Sequence, residues 1–95
     1  MILQTVTFSS ALSEAELLRV ARERAPQFRA LPGLLQKYYV KGNEPGQYRG
    51  VYIWDSLESL EEFRRSDLAA SIPTAYKAQA APVVERLEIL FPLRD

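Results

Sequence analysis

The residues of this chain that could do chemistry are a lysine, several tyrosines and one tryptophan. The sequence contains no cysteine and no histidine, which removes thiolate nucleophiles, the usual general base and the usual zinc and haem ligands. Lys37 and Tyr39 lie on one segment, and Tyr52 and Trp54 lie on a second. A lysine in an apolar cavity has a lowered pKa because it loses hydration, and its cation could stabilise a bound phenolate.

These two segments read as the strands of a hairpin. We predict strands from about Leu34 to Lys41 and from about Gln47 to Asp55, joined by a loop of Gly, Asn and Pro. Side chains alternate between the two faces of a strand, and we expect Val51 and Ile53 to face the helices. A one-residue slip in register would invert the faces. The open face of the sheet would carry Leu35, Lys37, Tyr39, Tyr48, Gly50, Tyr52 and Trp54.

An aromatic row on an open sheet face needs a cover. Tyrosine and tryptophan can each bury ~150–250 Å², so leaving the row in water would be costly. The simplest cover is a second copy of the same sheet, packed face to face about a two-fold axis. We therefore expect a homodimer formed through the open face.

The remaining segments complete an alternation of strands and helices. A first strand covers residues 2–8, and a capping box over Ser13–Glu16 begins the first helix. Asp55 or Ser56 begins the second helix, and a last strand runs from Val83 to Phe91. The order β-α-β-β-α-β is that of an α+β, ferredoxin-like domain with a four-stranded antiparallel sheet. Residues 1–95 are short enough to form a single domain.

Composition argues against nucleic-acid and membrane partners. Lys plus Arg and Asp plus Glu each number 12, so the net charge is +0, whereas proteins that follow phosphate backbones carry a basic excess. The segment 49–54 is superficially similar to an RNA-recognition motif, but Val51 stands where a base-stacking aromatic is needed. The apolar runs are too short for a membrane helix, and no signal-peptide pattern is present. We expect a cytoplasmic protein without a metal or other cofactor.

The segment from Phe28 to Tyr76 resembles the dimeric α+β barrel superfamily, in particular the branch that contains the antibiotic-biosynthesis monooxygenases. The resemblance is carried by residues 31–34 (LPGL) with Lys37, residues 50–56 (GVYIWDS), residues 66–68 (SDL) and residues 72–76 (IPTAY). It implies that two ferredoxin-like subunits press their sheets together, with a ligand cavity in each. It also implies oxidation of aromatic, quinol-like substrates by molecular oxygen without metal or flavin.

The same resemblance implies that Trp54 lines the cavity, with Tyr52 and Lys37 as further lining residues. Many relatives carry a histidine nine residues after the tryptophan, where this chain has Phe63. Haem-degrading relatives need a histidine ligand, so haem chemistry is excluded. We expect Lys37 to be the catalytic candidate, since a cation there favours ionisation of a quinol, which can then pass an electron to oxygen.

Each candidate residue has a structural alternative. Lys37 could lie at the rim of the sheet or pair with Glu85 across the dimer, and Glu85 could instead be a base that faces the barrel. Substrate-binding candidates are Tyr39, Tyr52, Trp54, Ile72, Tyr76 and Glu85, with residues 72–76 as a possible lid. The alternative for the aromatic residues is interface packing, and for the lid it is packing against the sheet.

Three functions therefore remain open. The first is a cofactor-independent monooxygenase that acts on a small aromatic or quinol-like substrate in a cavity between sheet and helices. The second is a non-catalytic homodimer that binds or senses a small ligand, which the replacement of histidine by Phe63 favours. The third, within the enzymes, is isomerisation or dehalogenation of a small cyclic acid.

Overall fold

The strands and the two main helices follow the order that the sequence predicts, and the structure adds two one-turn helices before the last strand. A computed structural model of the protein describes residues 1–94. Its elements are β1 (Ile2–Ser9), α1 (Glu14–Arg29), β2 (Leu34–Lys41), β3 (Gln47–Trp54), α2 (Leu57–Arg64), α3 (Asp67–Ala70), α4 (Ile72–Ala75) and β4 (Val83–Glu88). The four strands form one antiparallel sheet in the order β2-β3-β1-β4. This arrangement confirms the ferredoxin-like α+β class.

Both main helices begin at the polar residues that the sequence indicates. The Ser13 hydroxyl accepts a hydrogen bond from the Glu16 amide, and the Glu16 carboxylate accepts one from the Ser13 amide. The Ser56 hydroxyl accepts from the Ser59 amide at the start of α2. These bonds satisfy backbone donors that have no partner within the first turn of a helix. The caps thus fix where each helix starts along the sheet.

The aromatic row of β3 faces the helices, so the prediction that it lies on the open face was wrong. Trp54 is 0% exposed and Tyr52 is 2% exposed. The Trp54 ring centroid lies 5.3 Å from that of Phe63 on α2, and the Tyr52 centroid lies 6.4 Å from that of Phe28 on α1. The rings therefore fill the space between sheet and helices. Both faces of β3 are apolar, so alternation alone could not assign them.

The pairing of β2 with β3 places Lys37 and Tyr39 on this same helix-covered face. Lys37 lies opposite Tyr52 and Tyr39 lies opposite Gly50. The sequence correctly grouped these residues on one face, although it assigned that face to the open side. A register shift between Leu34 and Gln36 leaves Leu35 outside the regular ladder and 55% exposed. The expectation that Leu35 shares the face of Lys37 therefore depended on a regular strand that does not exist there.

The open face of the sheet carries the other half of each strand. Val51 on β3 lies between Thr5 of β1 and Tyr38 of β2. This face combines apolar side chains with polar ones such as Arg49 and Glu85, and it has no cover in the described chain. Its large hydrophobic side chains are Leu3, Tyr38, Val40, Val51, Ile53, Val83 and Leu87, of which Tyr38, Val40, Val83 and Leu87 are 40–63% exposed.

Gly33 is required at the turn from α1 into β2. Its φ is +81°, and a Cβ there would collide with the Ser59 side chain and lie 2.6 Å from a carboxylate oxygen of Asp55. We expect Gly33→Ala to lower the free energy of unfolding by about 2–4 kcal/mol, from the left-handed backbone and the collision together. Urea unfolding measures this. Gly42→Ala is the control for the backbone conformation, because its φ is not positive. Its new methyl must displace the Gln47 side chain, which accepts a hydrogen bond from the Asn43 amide, so we expect a loss of about 1 kcal/mol. Equal losses in both variants would contradict the prediction.

Candidate functional site

A cavity lies between the helix-covered face of the sheet and the helices α1 and α4. We call it the inner cavity. Most of its wall is apolar, and about 30 Å³ of it is open to the centre of a water molecule. That is room for one or two waters, so a larger ligand must displace side chains. Five of the seven candidate site residues from the sequence line it: Lys37, Tyr39, Tyr52, Ile72 and Tyr76.

Lys37 projects from β2 into a cage of aromatic rings. Its Nζ lies 3.5 Å from the Phe28 ring centroid, 4.4 Å from that of Tyr39 and 4.5 Å from that of Tyr52. Ring faces attract a cation at these distances. The three ion pairs between described residues involve Lys41, Arg64 and Arg86, and none includes Lys37.

Burial lowers the pKa of Lys37 to about 7, with a smaller contribution from the positive charge of Arg24. Desolvation disfavours the ammonium form, and no carboxylate compensates for it among the residues that line the inner cavity. The amine and the ammonium are therefore both populated near neutral pH. Such a group can take a proton from a bound acid and then remain beside the resulting anion as a cation.

The phenols around Lys37 are donors rather than bases at neutral pH. Burial raises the pKa of Tyr52 well above its usual value and that of Tyr76 to about 12, and it also raises the pKa of Tyr39. A protonated phenol offers its O–H to an acceptor. The site thus combines one titrating amine with hydroxyl groups that could hold an anionic oxygen.

Gly50 gives the inner cavity part of its space. A Cβ at this position would lie 3.1 Å from the Tyr52 ring and 3.6 Å from Cε of Lys37. Because Gly50 faces the helices in the middle of the sheet, its missing side chain leaves room beside the lysine. The structure therefore adds Gly50 to the residues that shape the site.

Trp54 lies one ring behind the inner cavity and does not line it. Its ring stacks on Tyr52 at 6.0 Å with an interplanar angle of 4°. Its indole N–H donates to Oε1 of Gln4 at 2.9 Å, and Gln4 is itself 3% exposed. Trp54 thus supports Tyr52 from behind, and its hydrogen-bond donor is already used inside the core.

Glu85 lies on the other face of the sheet from Lys37. It pairs with Thr5 across the β1–β4 ladder and is exposed on the open face. As predicted, Glu85 faces away from the helices. Lys37 and the inner cavity, however, lie on the helix-covered face of the sheet. The structure therefore does not bring Glu85 together with the other candidate residues, and an ion pair with Lys37 across a sheet-to-sheet dimer is not geometrically available.

Solved structures of other proteins share this architecture over nearly the whole chain. A putative antibiotic biosynthesis monooxygenase from Deinococcus radiodurans aligns with a TM-score of 0.75 over 100% of this chain and 98% of its own, at 16% identity. One from Caulobacter crescentus CB15 aligns with a TM-score of 0.76 over 95% and 90%, at 22% identity. The chain has the fold of these monooxygenases. SnoaB of Streptomyces nogalater, a cofactor-independent oxygenase, matches it at 0.75 over 99% and 97%, with 14% identity.

The monooxygenase fold is the fold that the resemblance of residues 28–76 implied. No family model and no curated protein matches the sequence. At identities below 25%, the shared architecture establishes the fold, and the chemistry has to be argued from the residues of this chain. Within residues 1–94, no helix is long and apolar enough to cross a membrane. The same residues contain no group of three acidic side chains that could hold a metal ion.

Sequence reasoning missed Arg24, a second cation that lies beside the ring of Phe28. Arg24 follows Ala21 by three residues and precedes Phe28 by four, so it lies on the buried stripe of α1. Its Cζ is 5.9 Å from the ring centroids of Phe28 and Tyr76. The helical spacing could have indicated this position, because a charged residue on a buried stripe requires an explanation.

Proposed function

We propose that the protein is a cofactor-independent monooxygenase that oxidises a small aromatic, quinol-like substrate in the inner cavity. The observation that carries the proposal is the amine of Lys37, held in an aromatic cage without a carboxylate partner among the cavity residues. A flat aromatic ligand fits rings, and a phenolic oxygen fits an amine that titrates near neutral pH. The fold shared with SnoaB supports the same chemistry.

The proposed reaction starts with proton transfer from the phenolic hydroxyl of the substrate to the neutral amine of Lys37. The phenolate delocalises its charge onto a ring carbon, which passes one electron to O2 and gives a substrate radical and superoxide. These combine to form a carbon–oxygen bond, and the ammonium of Lys37 returns its proton to the peroxide. Water then leaves with the hydrogen of that ring carbon, so that a carbonyl remains. Overall, the phenol and O2 give a quinone-type product and water: the substrate gives up four electrons, which is the number that O2 accepts.

The protein groups act on charge and on position. The ammonium of Lys37 stabilises first the phenolate and then the superoxide beside it, in a site with little water. The hydroxyls of Tyr39 and Tyr52 are protonated donors that can hold the anionic oxygen. The rings that surround Lys37 keep the substrate plane next to the amine.

We also propose that a second copy of the chain covers the open face of the sheet. The support is the apolar surface around Val51 on the open face. The aromatic row that the sequence analysis placed in the interface faces the helices instead, so this dimer would form through other residues. Leu90 and Phe91, which are 91% and 74% exposed, follow the edge strand β4 and add exposed apolar area next to the sheet. Surfaces of this kind commonly mark protein interfaces.

Oxygen uptake with labelled O2 tests the proposed function. A panel of quinols, naphthols and anthrones is first screened by the emission of Trp54, the only tryptophan, which stacks on a residue of the cavity wall. For the ligands that bind, we expect one O2 consumed per product and one atom of ¹⁸O2 retained in the carbonyl. Saturable binding without uptake would instead support the ligand-binding or sensing alternative.

Gly50→Ala provides a geometric check on the location of the substrate. The new methyl group enters the inner cavity between Tyr52 and Lys37. We expect the affinity for binding ligands to fall roughly tenfold, with a change in Tm no larger than that of the control Gly42→Ala. Unchanged affinity in Gly50→Ala would show that the ligand binds outside this cavity.

A further inference from the structure

Two cations lie at the inner cavity: Lys37 lines its wall, and Arg24 lies behind that wall against the rings of Phe28 and Tyr76. Arg24 and Lys37 approach the same Phe28 ring, with Cζ at 5.9 Å and Nζ at 3.5 Å from its centroid. No aspartate or glutamate lines the inner cavity, nor the groove beside it between α1 and β2. The ion pairs among residues 1–94 are formed by other cations with Glu14 and Glu61. Two charges that repel each other are therefore held together without a counter-ion from the described chain.

The hydrogen bonds at the Arg24 end of the site are incomplete among the described residues. One amino group of Arg24 donates to the Ser71 hydroxyl at 2.9 Å and to the Leu68 carbonyl at 3.5 Å. The Arg24 side chain is a hydrogen-bond donor toward the hydroxyl oxygen of Tyr76, although its Nε and that hydroxyl fall outside strict hydrogen-bond geometry. The O–H of Tyr76, a residue that is 4% exposed, is left as a buried donor without an acceptor among the described residues. Buried donors left without a partner cost free energy, so native proteins rarely contain them unless something else completes the site.

A carboxylate satisfies all of these features at once. Its oxygens accept several hydrogen bonds, and its charge pairs with a guanidinium in a fixed fork geometry. The O–H of Tyr76 can donate to the same group, since burial keeps this phenol protonated. A neutral acceptor such as water would fill the hydrogen bonds but would leave the two cations uncompensated.

A groove between α1 and β2 lies next to the inner cavity. This groove offers about 330 Å³ to the centre of a water molecule, and Lys37 and Tyr39 line both the groove and the inner cavity. A ligand that enters by this route meets Lys37 on the way in. It can then place one end against the lysine and the other toward Tyr76, which lines the inner cavity and contacts the half-buried Arg24.

We infer that the substrate is an aromatic hydroxy acid, with its phenolic oxygen at Lys37 and a carboxylate bound by Arg24 and Tyr76. This inference rests on the proposed function for the phenolic end and adds the second, anionic end. The carboxylate subsite would select for acids over otherwise identical neutral phenols. Arg24 and Tyr76 would act there in binding and orientation, at a distance from the oxidised carbon.

Two probes that differ only in the carboxylate test the inference. Calorimetric titration of 6-hydroxy-2-naphthoate and of 2-naphthol gives an affinity ratio for each protein variant. We expect the wild-type protein to bind the acid at least tenfold more tightly, and we expect Arg24→Leu to bring this ratio close to one. Tyr76→Phe should reduce the ratio several-fold. Arg22→Leu, which removes an exposed arginine from the same helix, should leave it unchanged.

The outcomes separate this inference from the proposed function. Equal affinities in the wild-type protein would overturn the carboxylate subsite, while labelled-oxygen uptake with neutral quinols would still support the oxygenase. If Arg24→Leu does not fold, Arg24→Lys decides the point, because it retains the charge without the fork and should lower the ratio by less than tenfold. The inference would also be overturned if both Arg24→Lys and Tyr76→Phe kept the wild-type ratio of affinities for the acid and the neutral naphthol.

Discussion

Lys37→Met is expected to stabilise the protein and to abolish oxidation of the substrate. Methionine keeps most of the volume of the lysine and packs well against rings, but it removes a charge that is costly to bury. At pH 6 to 7 we expect the free energy of unfolding to rise by about 3 kcal/mol, since burial of the ammonium form is the cost that also lowers the pKa of Lys37. A variant that is more stable than the wild-type protein but no longer oxidises the substrate would show that Lys37 serves the reaction rather than the stability of the fold.

The pH dependence of stability follows from the same group. The pKa of Lys37 is about 7 in the folded protein and has its ordinary value of 10.5 in the unfolded chain. Between these values the unfolded chain binds more protons, so the free energy of unfolding rises with pH by at most about 1.4 kcal/mol for each unit. Below about pH 7 both states carry the proton and the slope vanishes. Lys37→Met should remove the slope and lose its advantage as the pH approaches 9.5.

Urea unfolding at pH 6, 7.5, 8.5 and 9.5 measures both effects. Lys41→Met is the matched control, because Lys41 is on the same strand but its side chain is 73% exposed and pairs with Glu14 at the surface. Its effect should stay within about 1 kcal/mol. Oxygen uptake by the wild-type protein should fall as the pH drops through about 7, where the amine becomes protonated. A Lys37→Met variant that is less stable at pH 6, or one that retains oxidation, contradicts the proposed role of the lysine.

Local signals in the sequence predicted the fold because they act over a few residues. The capping box at Ser13 and the cap at Ser56 set the helix starts, and the Gly-Asn-Pro loop set the hairpin. The grouping of Lys37 with Tyr52 on one face also followed, since the length of the hairpin loop favours one register near the turn. Topology and the grouping of candidate residues could therefore be predicted.

The features that were missed depend on contacts between distant segments. The two faces of β3 carry Tyr52 and Trp54 on one side and Val51 and Ile53 on the other, and both sets are apolar enough to be core. The choice between them is made by the rings on the helices, since Phe28 and Phe63 leave a space that large aromatics fill. The bond from Trp54 to Gln4, fifty residues apart, and the approach of Arg24 to Tyr76 likewise have no local signal.

Val51→Glu is expected to convert a dimer into a monomer. Val51 is on the open face and pairs on both sides, with Thr5 and with Tyr38, so its side chain lies away from the sheet edges. In a face-to-face dimer the two-fold axis brings the same patch from each subunit into the interface. Each subunit would then bury a carboxylate among apolar side chains, at a cost of several kcal/mol per charge. The fold should be retained, because the new carboxylate is solvated in the monomer.

Sedimentation equilibrium at micromolar concentrations measures the result against the subunit mass of 10.8 kDa. The wild-type protein should sediment at twice this mass and Val51→Glu at the subunit mass, with the helical circular dichroism unchanged. Leu57→Glu is the control, since Leu57 is 44% exposed on α2, on the helix-covered side of the sheet. It introduces the same charge and should remain dimeric. A wild-type protein that is monomeric at tens of micromolar, or a Val51→Glu variant that remains dimeric, would show that another surface pairs the chains. Because Lys37 lies on the other side of the sheet, a folded monomer should still bind the ligand, so assembly and chemistry can be tested apart.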